Sequence, residues 1–139
     1  MSATPADFNS QVIEEFRANG GKAGGIFEGK PLLLLHNVGA KSGRELVTPL
    51  VYLADGDRYL IFASKGGAPS NPGWYHNLKA DPNVSIEVGT ETIPVVAEEL
   101  AGEERDRLYR VQEEQQPQFA EYARKTDRKI PVIALTPRG

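Results

Sequence analysis

Apolar residues recur along this chain at two different spacings, and the spacings predict where helices and strands lie. Near the start, Phe8, Val12 and Phe16 recur at helical spacing, with charged residues on the opposite side. This pattern predicts an amphipathic helix at about residues 7–19. The glycine pair Gly20-Gly21 follows it, and glycine is a common residue just past the end of a helix.

Six later segments are rich in β-branched and aromatic residues or alternate with a period of two, which is typical of strands. They cover residues 32–38, 45–53, 58–63, 84–88, 92–97 and 130–135, and further helices are predicted over residues 72–80, 102–115 and 117–126. We expect the first three strands to form an antiparallel meander, with Asp55-Gly56-Asp57 as a hairpin turn. Because hairpins dominate, the pattern favours a small antiparallel barrel with flanking helices over a Rossmann domain.

The turn between the third predicted strand and the helix at residues 72–80 has features that suit a ligand. Gly66 and Gly67 accept positive φ and have no Cβ, which lets a flat ligand lie against the backbone. We expect Asn71 to cap the helix and Pro72 to occupy its first position, so that free amides point toward the glycines. The pattern predicts a bare, amide-rich shelf for a planar cofactor.

A second candidate site is the connection Gly39-Ala40-Lys41-Ser42-Gly43-Arg44 between the first two predicted strands. It offers two cations, a hydroxyl and backbone amides, which together suit a phosphate or carboxylate tail. It is not a Walker A loop, because that motif leads into a helix and this loop joins two strands. A solvent-exposed basic hairpin is the alternative interpretation.

Composition excludes several classes of function. The 139 residues predict one domain over residues 1–139, and a net charge of -3 gives no reason to expect nucleic acid as a partner. The chain has no cysteine, and its two histidines, His36 and His76, have no carboxylates at ligand spacing, so we expect no metal. We expect a cytoplasmic protein, since there is no secretory signal and no apolar run long enough to span a membrane. Peripheral membrane contact by the first helix stays open.

The motifs, taken in order, resemble those of the deazaflavin-dependent nitroreductase family of actinobacteria. They are Leu32-Leu33-Leu34-Leu35, Gly39-x-Lys41-Ser42-Gly43, Thr48-Pro49-Leu50-Val51-Tyr52, Asp55-Gly56-Asp57, Ala63-Ser64-Lys65-Gly66-Gly67, Asn71-Pro72-x-Trp74-Tyr75-His76-Asn77-Leu78 and Thr126-Asp127-Arg128-x-Ile130-Pro131. Members of this family are split β-barrel proteins that use coenzyme F420. The resemblance therefore implies an α+β, mainly β, fold: a split β-barrel of about six mostly antiparallel strands with flanking helices.

The resemblance also implies a function. The implied function is that of an F420H2-dependent reductase, which transfers hydride from the reduced deazaflavin to a small-molecule electron acceptor such as a quinone, an enone or a nitroaromatic. No catalytic side chain is implied, because the coenzyme itself supplies the hydride. The implied cofactor contacts are Lys41, Ser42, Gly43, Arg44, Pro49, Ala63, Ser64, Lys65, Gly66, Gly67, Pro72, Trp74 and Asn77, and the implied substrate contacts are Tyr52, Ser64, Phe119 and Tyr122. The chain is expected to be a monomer or a homodimer.

Three departures from the family pattern bear on the implied function, and two alternatives to it stay open. Leu46 stands where members commonly carry an arginine, and His36-Asn37-Val38 replaces threonines before the first loop glycine. In residues 116–122, where members often present several tyrosines to the substrate, Tyr122 is the single tyrosine. The loss of tyrosines favours a non-catalytic protein that stores or carries F420. The other alternative is an FMN-binding protein of the same barrel fold.

Overall fold

The computed structural model describes the backbone of residues 5–138 and the side chains of residues 9–138, except those at positions 26 and 66. Within that range there are four α-helices and seven strands. The helices are α1 Pro5–Ala18, α2 Gly73–Ala80, α3 Gly102–Gln115 and α4 Gln118–Lys125. The strands are β1 Leu32–Val38, β2 Glu45–Val51, β3 Leu53–Asp55, β4 Arg58–Phe62, β5 Asn83–Val88, β6 Glu91–Leu100 and β7 Val132–Pro137.

All seven strands belong to one antiparallel sheet with the order β2-β1-β5-β6-β7-β4-β3. The two strands at its opposite edges, β2 and β3, are separated in the chain by Tyr52 alone. The sheet must therefore curl until its two edges meet at one end. This geometry is a split β-barrel with flanking helices, and the predicted fold class is confirmed.

The predicted three-stranded meander is wrong. The first two strands do pair as a hairpin, but β4 pairs with β3 and β7 and not with β2. The predicted strand at residues 45–53 is divided at Tyr52, whose N–H donates to Pro31 O while its ring packs edge-on against Tyr59. An unbroken apolar pattern does not reveal a bend of this kind, and so the sequence predicts six strands where the structure has seven.

Three groups of buried side chains hold the barrel and its helices together. One fills the barrel interior, a second packs α3 and α4 against the outside of the sheet, and a third packs α1 against β1. Successive residues of β1 serve different groups, since Leu33 and Leu35 face the interior and Leu32 and Leu34 face α1. This strand is apolar on both faces because both faces are covered.

The amphipathic pattern of the first helix is reproduced as far as the side chains are described. Val12 and Phe16 of α1 are buried against β1, whereas the side chain of Phe8 lies outside the described residues. Among the described helices, none combines the length and the apolar character that a membrane crossing requires.

Candidate functional site

A cleft of about 640 Å³ opens where the end of β2, the end of β4, the start of α2 and the helix α4 come together. Seven of the side chains predicted to contact a cofactor or substrate line it: Pro49, Ser64, Lys65, Pro72, Trp74, Phe119 and Tyr122. Six lining residues were not predicted: Phe27, Lys30, Leu50, Val51, Phe62 and Gln118. Residues far apart in sequence thus meet in one place.

One wall of the cleft is aromatic. The ring of Phe119 lies 5.6 Å from that of Phe62 and 5.2 Å from that of Tyr122, both in edge-to-face arrangements. The hydroxyl of Tyr109 on α3 donates to the carbonyl of Phe119 over 2.7 Å, and burial raises the pKa of Tyr109 to about 12. That hydroxyl therefore stays protonated and keeps donating at neutral pH, which fixes α4 beside the cleft.

The turn after β4 does not form the bare glycine shelf that the sequence suggests. Gly67 is buried with φ +84°, and a Cβ built there would lie 2.9 Å from both Tyr122 O and Lys125 Cβ of α4. Glycine is needed at this position because α4 packs directly on it. The expectation of a ligand shelf is wrong for Gly67, while the surroundings of Gly66 lie outside the described residues.

Three backbone donors of this turn are already used within the protein. The N–H of Ala63 donates to Pro131 O, that of Ser64 to Phe62 O and that of Gly67 to Ser64 O, over 2.8–2.9 Å. Ala63 is fully buried in the barrel interior, so its side chain does not reach the cleft. The turn instead offers the side chains of Ser64 and Lys65, both of which line the cleft.

The predicted cap of the second helix is also wrong. α2 begins at Gly73, and Pro72 occupies the capping position with no side-chain hydrogen bond. The Oδ1 of Asn71 instead accepts a hydrogen bond from Arg128 Nη1 over 2.7 Å. Capping propensity was outweighed here by a long-range, charge-assisted hydrogen bond, which is stronger than a neutral one.

The basic connection between β1 and β2 lies outside the cleft and is solvent-exposed. Lys41, Ser42, Gly43 and Arg44 are all exposed, and the N–H of Gly39 closes the turn on Arg44 O. Strand β2 leads from this connection to Pro49 in the cleft, a rise of about 13 Å at ~3.3 Å per residue. An elongated ligand is needed to occupy both places.

Asn77 of α2 holds this basic connection in place. Its Oδ1 accepts from the N–H of Ala40 over 2.9 Å, and its Nδ2 donates to Asn37 Oδ1 over 2.7 Å. Asn77 is buried and does not line the cleft, although Trp74 does, one turn earlier on the same helix. The structure therefore places Asn77 as a link between the loop and α2.

The charge of the cleft is one-sided. Among the described residues that line it, Lys30 and Lys65 are the two charged side chains, and there is no carboxylate. Such a donor set suits an anionic ligand. The described residues contain no group of three or more His, Asp or Glu side chains arranged to hold a metal ion.

Tyr52, predicted to contact substrate, lies in a different cleft of about 670 Å³ between the end of α1, β1 and the turn after β5. Phe27 and Lys30 border both clefts, so the two are neighbours. No motif singles out Phe27 or Lys30, which belong to the glycine-rich connection before β1. Leu50 and Val51, by contrast, lie within the motif Thr48-Pro49-Leu50-Val51-Tyr52.

The fold and the cleft together define a class: a split β-barrel protein whose cleft has an aromatic wall and two lysines. Residues 9–137 match the model of the family described as F420H(2)-dependent quinone reductase. This chain belongs to that family. The predicted F420-dependent oxidoreductase class and its coenzyme are thereby confirmed, and quinone, one of the three predicted acceptor types, is the one in the family's name.

Individual proteins are similar to this chain over most of its length. The chain is 45% identical over 127 residues to the F420H(2)-dependent quinone reductase Rv1261c of Mycobacterium tuberculosis, which covers 88% of this chain and 85% of the relative. A solved F420-H2 dependent reductase, FDR-A, is 43% identical, with a TM-score of 0.69 over 76% of this chain and 93% of its own. A solved structure described as a domain-swapped dimer is 38% identical, with a TM-score of 0.72 over 95% and 99% of the two chains.

Proposed function

We propose that this protein transfers hydride from F420H2 to a quinone, and that both bind in the cleft between β2, β4, α2 and α4. The observation that carries the proposal is the composition of this cleft, which combines an aromatic wall with two lysines and no carboxylate among its described lining residues. Flat rings pack well against aromatic and proline side chains, and an acidic coenzyme is attracted by lysine. Membership of the family supports the same conclusion.

The residues present fit the coenzyme. In this proposal the ring system is held by Pro49 of β2, by Ser64 and Lys65 of the turn after β4, and by Pro72 and Trp74 at the start of α2, all of which border the cleft. Lys41, Ser42, Gly43 and Arg44 hold the acidic tail at the other end of β2, where they are exposed. F420H2, when bound, supplies the hydride, so the side chains have to orient the two reactants and exclude water.

The acceptor is proposed to lie on the α4 side of the cleft. Phe119 and Phe62 provide apolar surface there, and the hydroxyl of the half-buried Tyr122 is a donor for a quinone oxygen that gains negative charge during reduction. A donor held in place before the reaction lowers the barrier because no solvent has to reorganise. Tyr52 would then contact substrate only if the acceptor extends into the neighbouring cleft.

The experiment that tests this function has two stages. The purified protein is titrated with F420, and turnover of F420H2 is then followed by absorbance with a benzoquinone, a naphthoquinone, an enone and a nitroaromatic. We expect binding, and turnover that is fastest with the quinones. Tight binding without turnover of any acceptor would favour a coenzyme carrier, whereas a protein that binds FMN in preference would contradict the assignment.

We further propose that the protein works in the cytoplasm as a monomer or homodimer. The homodimer is supported by the similar solved structure that is described as a domain-swapped dimer. Light scattering across a range of concentrations distinguishes the two forms. Sedimentation with lipid vesicles tests the separate idea that α1 brings the protein to a membrane surface.

A further inference from the structure

Arg128, in the segment between α4 and β7, makes three hydrogen bonds to a single turn. Its Nε donates to Ala68 O over 2.9 Å, its Nη1 to Asn71 Oδ1 over 2.7 Å and its Nη2 to Ser64 O over 2.9 Å. All three acceptors lie in residues 64–71, between β4 and α2. One half-buried guanidinium thus connects the first and last residues of this turn.

Apart from Arg128, the turn is held by the packing of α4 on Gly67 and by a hydrogen bond from Lys65 Nζ to Ser70 Oγ over 3.3 Å. It contains a single short 3-10 segment, Lys65–Gly67, with backbone hydrogen bonds from Gly67 to Ser64 and from Ala68 to Lys65. Lys65 adopts φ +47°, a left-handed conformation that a residue with a Cβ rarely adopts unless its surroundings impose it. Contacts from outside the turn, those of α4 and of Arg128, are therefore needed to select this conformation.

The conformation of the turn decides the shape of the cleft. Ser64 and Lys65 line the cleft from the start of the turn, and Pro72 and Trp74 line it immediately after the end of the turn. Arg128 itself does not border the cleft and so cannot touch a ligand there without a rearrangement. Its influence passes through the backbone that it holds.

We propose that Arg128 is a positioning residue for the coenzyme site, and that its three hydrogen bonds select the conformation of residues 64–71 that binds the deazaflavin. This proposal rests on the proposed function, because it takes the cleft to be the coenzyme site. Arginine is required because its planar fork reaches three acceptors in fixed directions, whereas lysine is a point charge. Arg128 thereby has a role within the motif Thr126-Asp127-Arg128-x-Ile130-Pro131.

The effect of replacing Arg128 on coenzyme binding depends on the fraction of molecules whose turn holds the binding conformation. If only a fraction of molecules hold the binding conformation, the apparent Kd rises by the inverse of that fraction. If that fraction falls to about one tenth, the apparent Kd for F420 rises about tenfold. The turnover rate at saturating coenzyme should fall less, because bound coenzyme selects the correct conformation.

The variant is Arg128→Lys, and Arg138→Lys is its matched control. Arg138 also donates from Nε and Nη2 to two backbone carbonyls, those of Val95 and Val84, but it is not among the residues that line the cleft. Two quantities are measured for each protein: the Kd for F420, and the quenching of tryptophan fluorescence by acrylamide without coenzyme. Trp74 is the only tryptophan of the chain, so its quenching reports on this cleft directly.

We expect Arg128→Lys to raise both the Kd and the acrylamide quenching, and Arg138→Lys to change neither. Equal values for the two variants, at a temperature where both are folded, would overturn the proposal. If Arg128→Lys does not fold, Asn71→Ala removes one of the three acceptors without removing a charge, and it should change both quantities in the same direction by less. A wild-type protein that fails to bind F420 would contradict the proposed function instead, while unchanged quenching in the variants would contradict the role of Arg128.

Discussion

Asn77 Nδ2 donates a hydrogen bond to Asn37 Oδ1 over 2.7 Å, and both side chains are buried between α2 and β1. The same Asn77 accepts from the N–H of Ala40, in the connection that we propose binds the acidic tail of the coenzyme. Asn77 therefore joins the two ends of the proposed site, since Trp74 lies one turn earlier on α2.

Replacing Asn77 by alanine should weaken both the fold and coenzyme binding. The change leaves the buried Asn37 Oδ1 without its partner, and an unsatisfied buried polar group costs about 1–3 kcal/mol. It also frees the N–H of the exposed Ala40, which loosens the basic connection. Denaturant unfolding and an F420 titration measure the two effects. Asn19→Ala, which removes an exposed amide bonded to Glu15 O, is the control and should change neither by a comparable amount.

Replacing Gly67 by alanine should destabilise the protein more than replacing Gly56 by alanine. Both glycines have positive φ, and left-handed backbone costs a residue with a Cβ about 1–2 kcal/mol. At Gly67 the new Cβ also meets α4 at 2.9 Å, whereas at Gly56 it meets nothing within 4 Å.

The difference between the two variants in free energy of unfolding therefore isolates the packing of α4 on the turn. Because α4 carries Phe119 and Tyr122, Gly67→Ala should also raise the KM for the quinone. Equal destabilisation by the two substitutions would contradict the close contact.

Replacing Lys41 by alanine should raise the Kd for F420 about tenfold, which corresponds to one charge-assisted contact of ~1.4 kcal/mol. The effect should shrink as salt is added, because Lys41 is exposed and its charge is screened. Lys129→Ala is the control, since Lys129 is exposed and pairs with Asp106 on α3. If both variants bind the coenzyme equally well, the basic connection is not part of the site.

Glu87 of β5 should make stability depend on pH in the acidic range. The hydrogen bonds from Arg17, with a further contribution from His36, lower the pKa of Glu87 below its ordinary value of 4.5. A lowered pKa means that the folded state prefers the charged form. The stabilisation is therefore present above pH 4.5 and is lost as the pH falls through the lowered pKa.

The measurement compares the wild type with Glu87→Gln in urea unfolding at several pH values. The wild type should be the more stable at pH 7, and the difference should shrink on acidification. Glu91→Gln, a substitution at an exposed residue of the neighbouring strand, is the control. A difference that stays constant with pH would argue that Glu87 contributes through packing alone.

Local pattern was sufficient to predict much of the fold. The helix α3 and the strand β1 have the predicted boundaries, because an amphipathic repeat and a doubly covered apolar run are properties of the segments themselves. The pairing of β4 with β7 joins residues about 70 positions apart. Nothing in a hairpin pattern specifies a pairing of that kind, and so the meander was predicted in its place.

The residues of the candidate site also divide into those that a local motif predicts and those whose role depends on long-range contacts. Pro49, Ser64, Lys65, Pro72 and Trp74 were found because they lie in motifs that are continuous in sequence. Position 67 requires glycine because α4 packs against it, and the Oδ1 of Asn71 accepts a hydrogen bond from Arg128 and does not cap α2. Both depend on contacts with chain more than 50 residues away, which short-range rules about glycine and capping do not include.

A single residue, Tyr52, joins the two outermost strands of the sheet. Leu50 and Val51 just before it and Phe62 and Ser64 beyond it all border the cleft, so a ligand seated there touches chain on both sides of the closure. Any such ligand binds the closed barrel and not an opened one, and occupancy at 100 times the Kd would stabilise the closed form by about 2.7 kcal/mol. Under the proposed function, the protein without its coenzyme should therefore unfold more readily than the occupied protein.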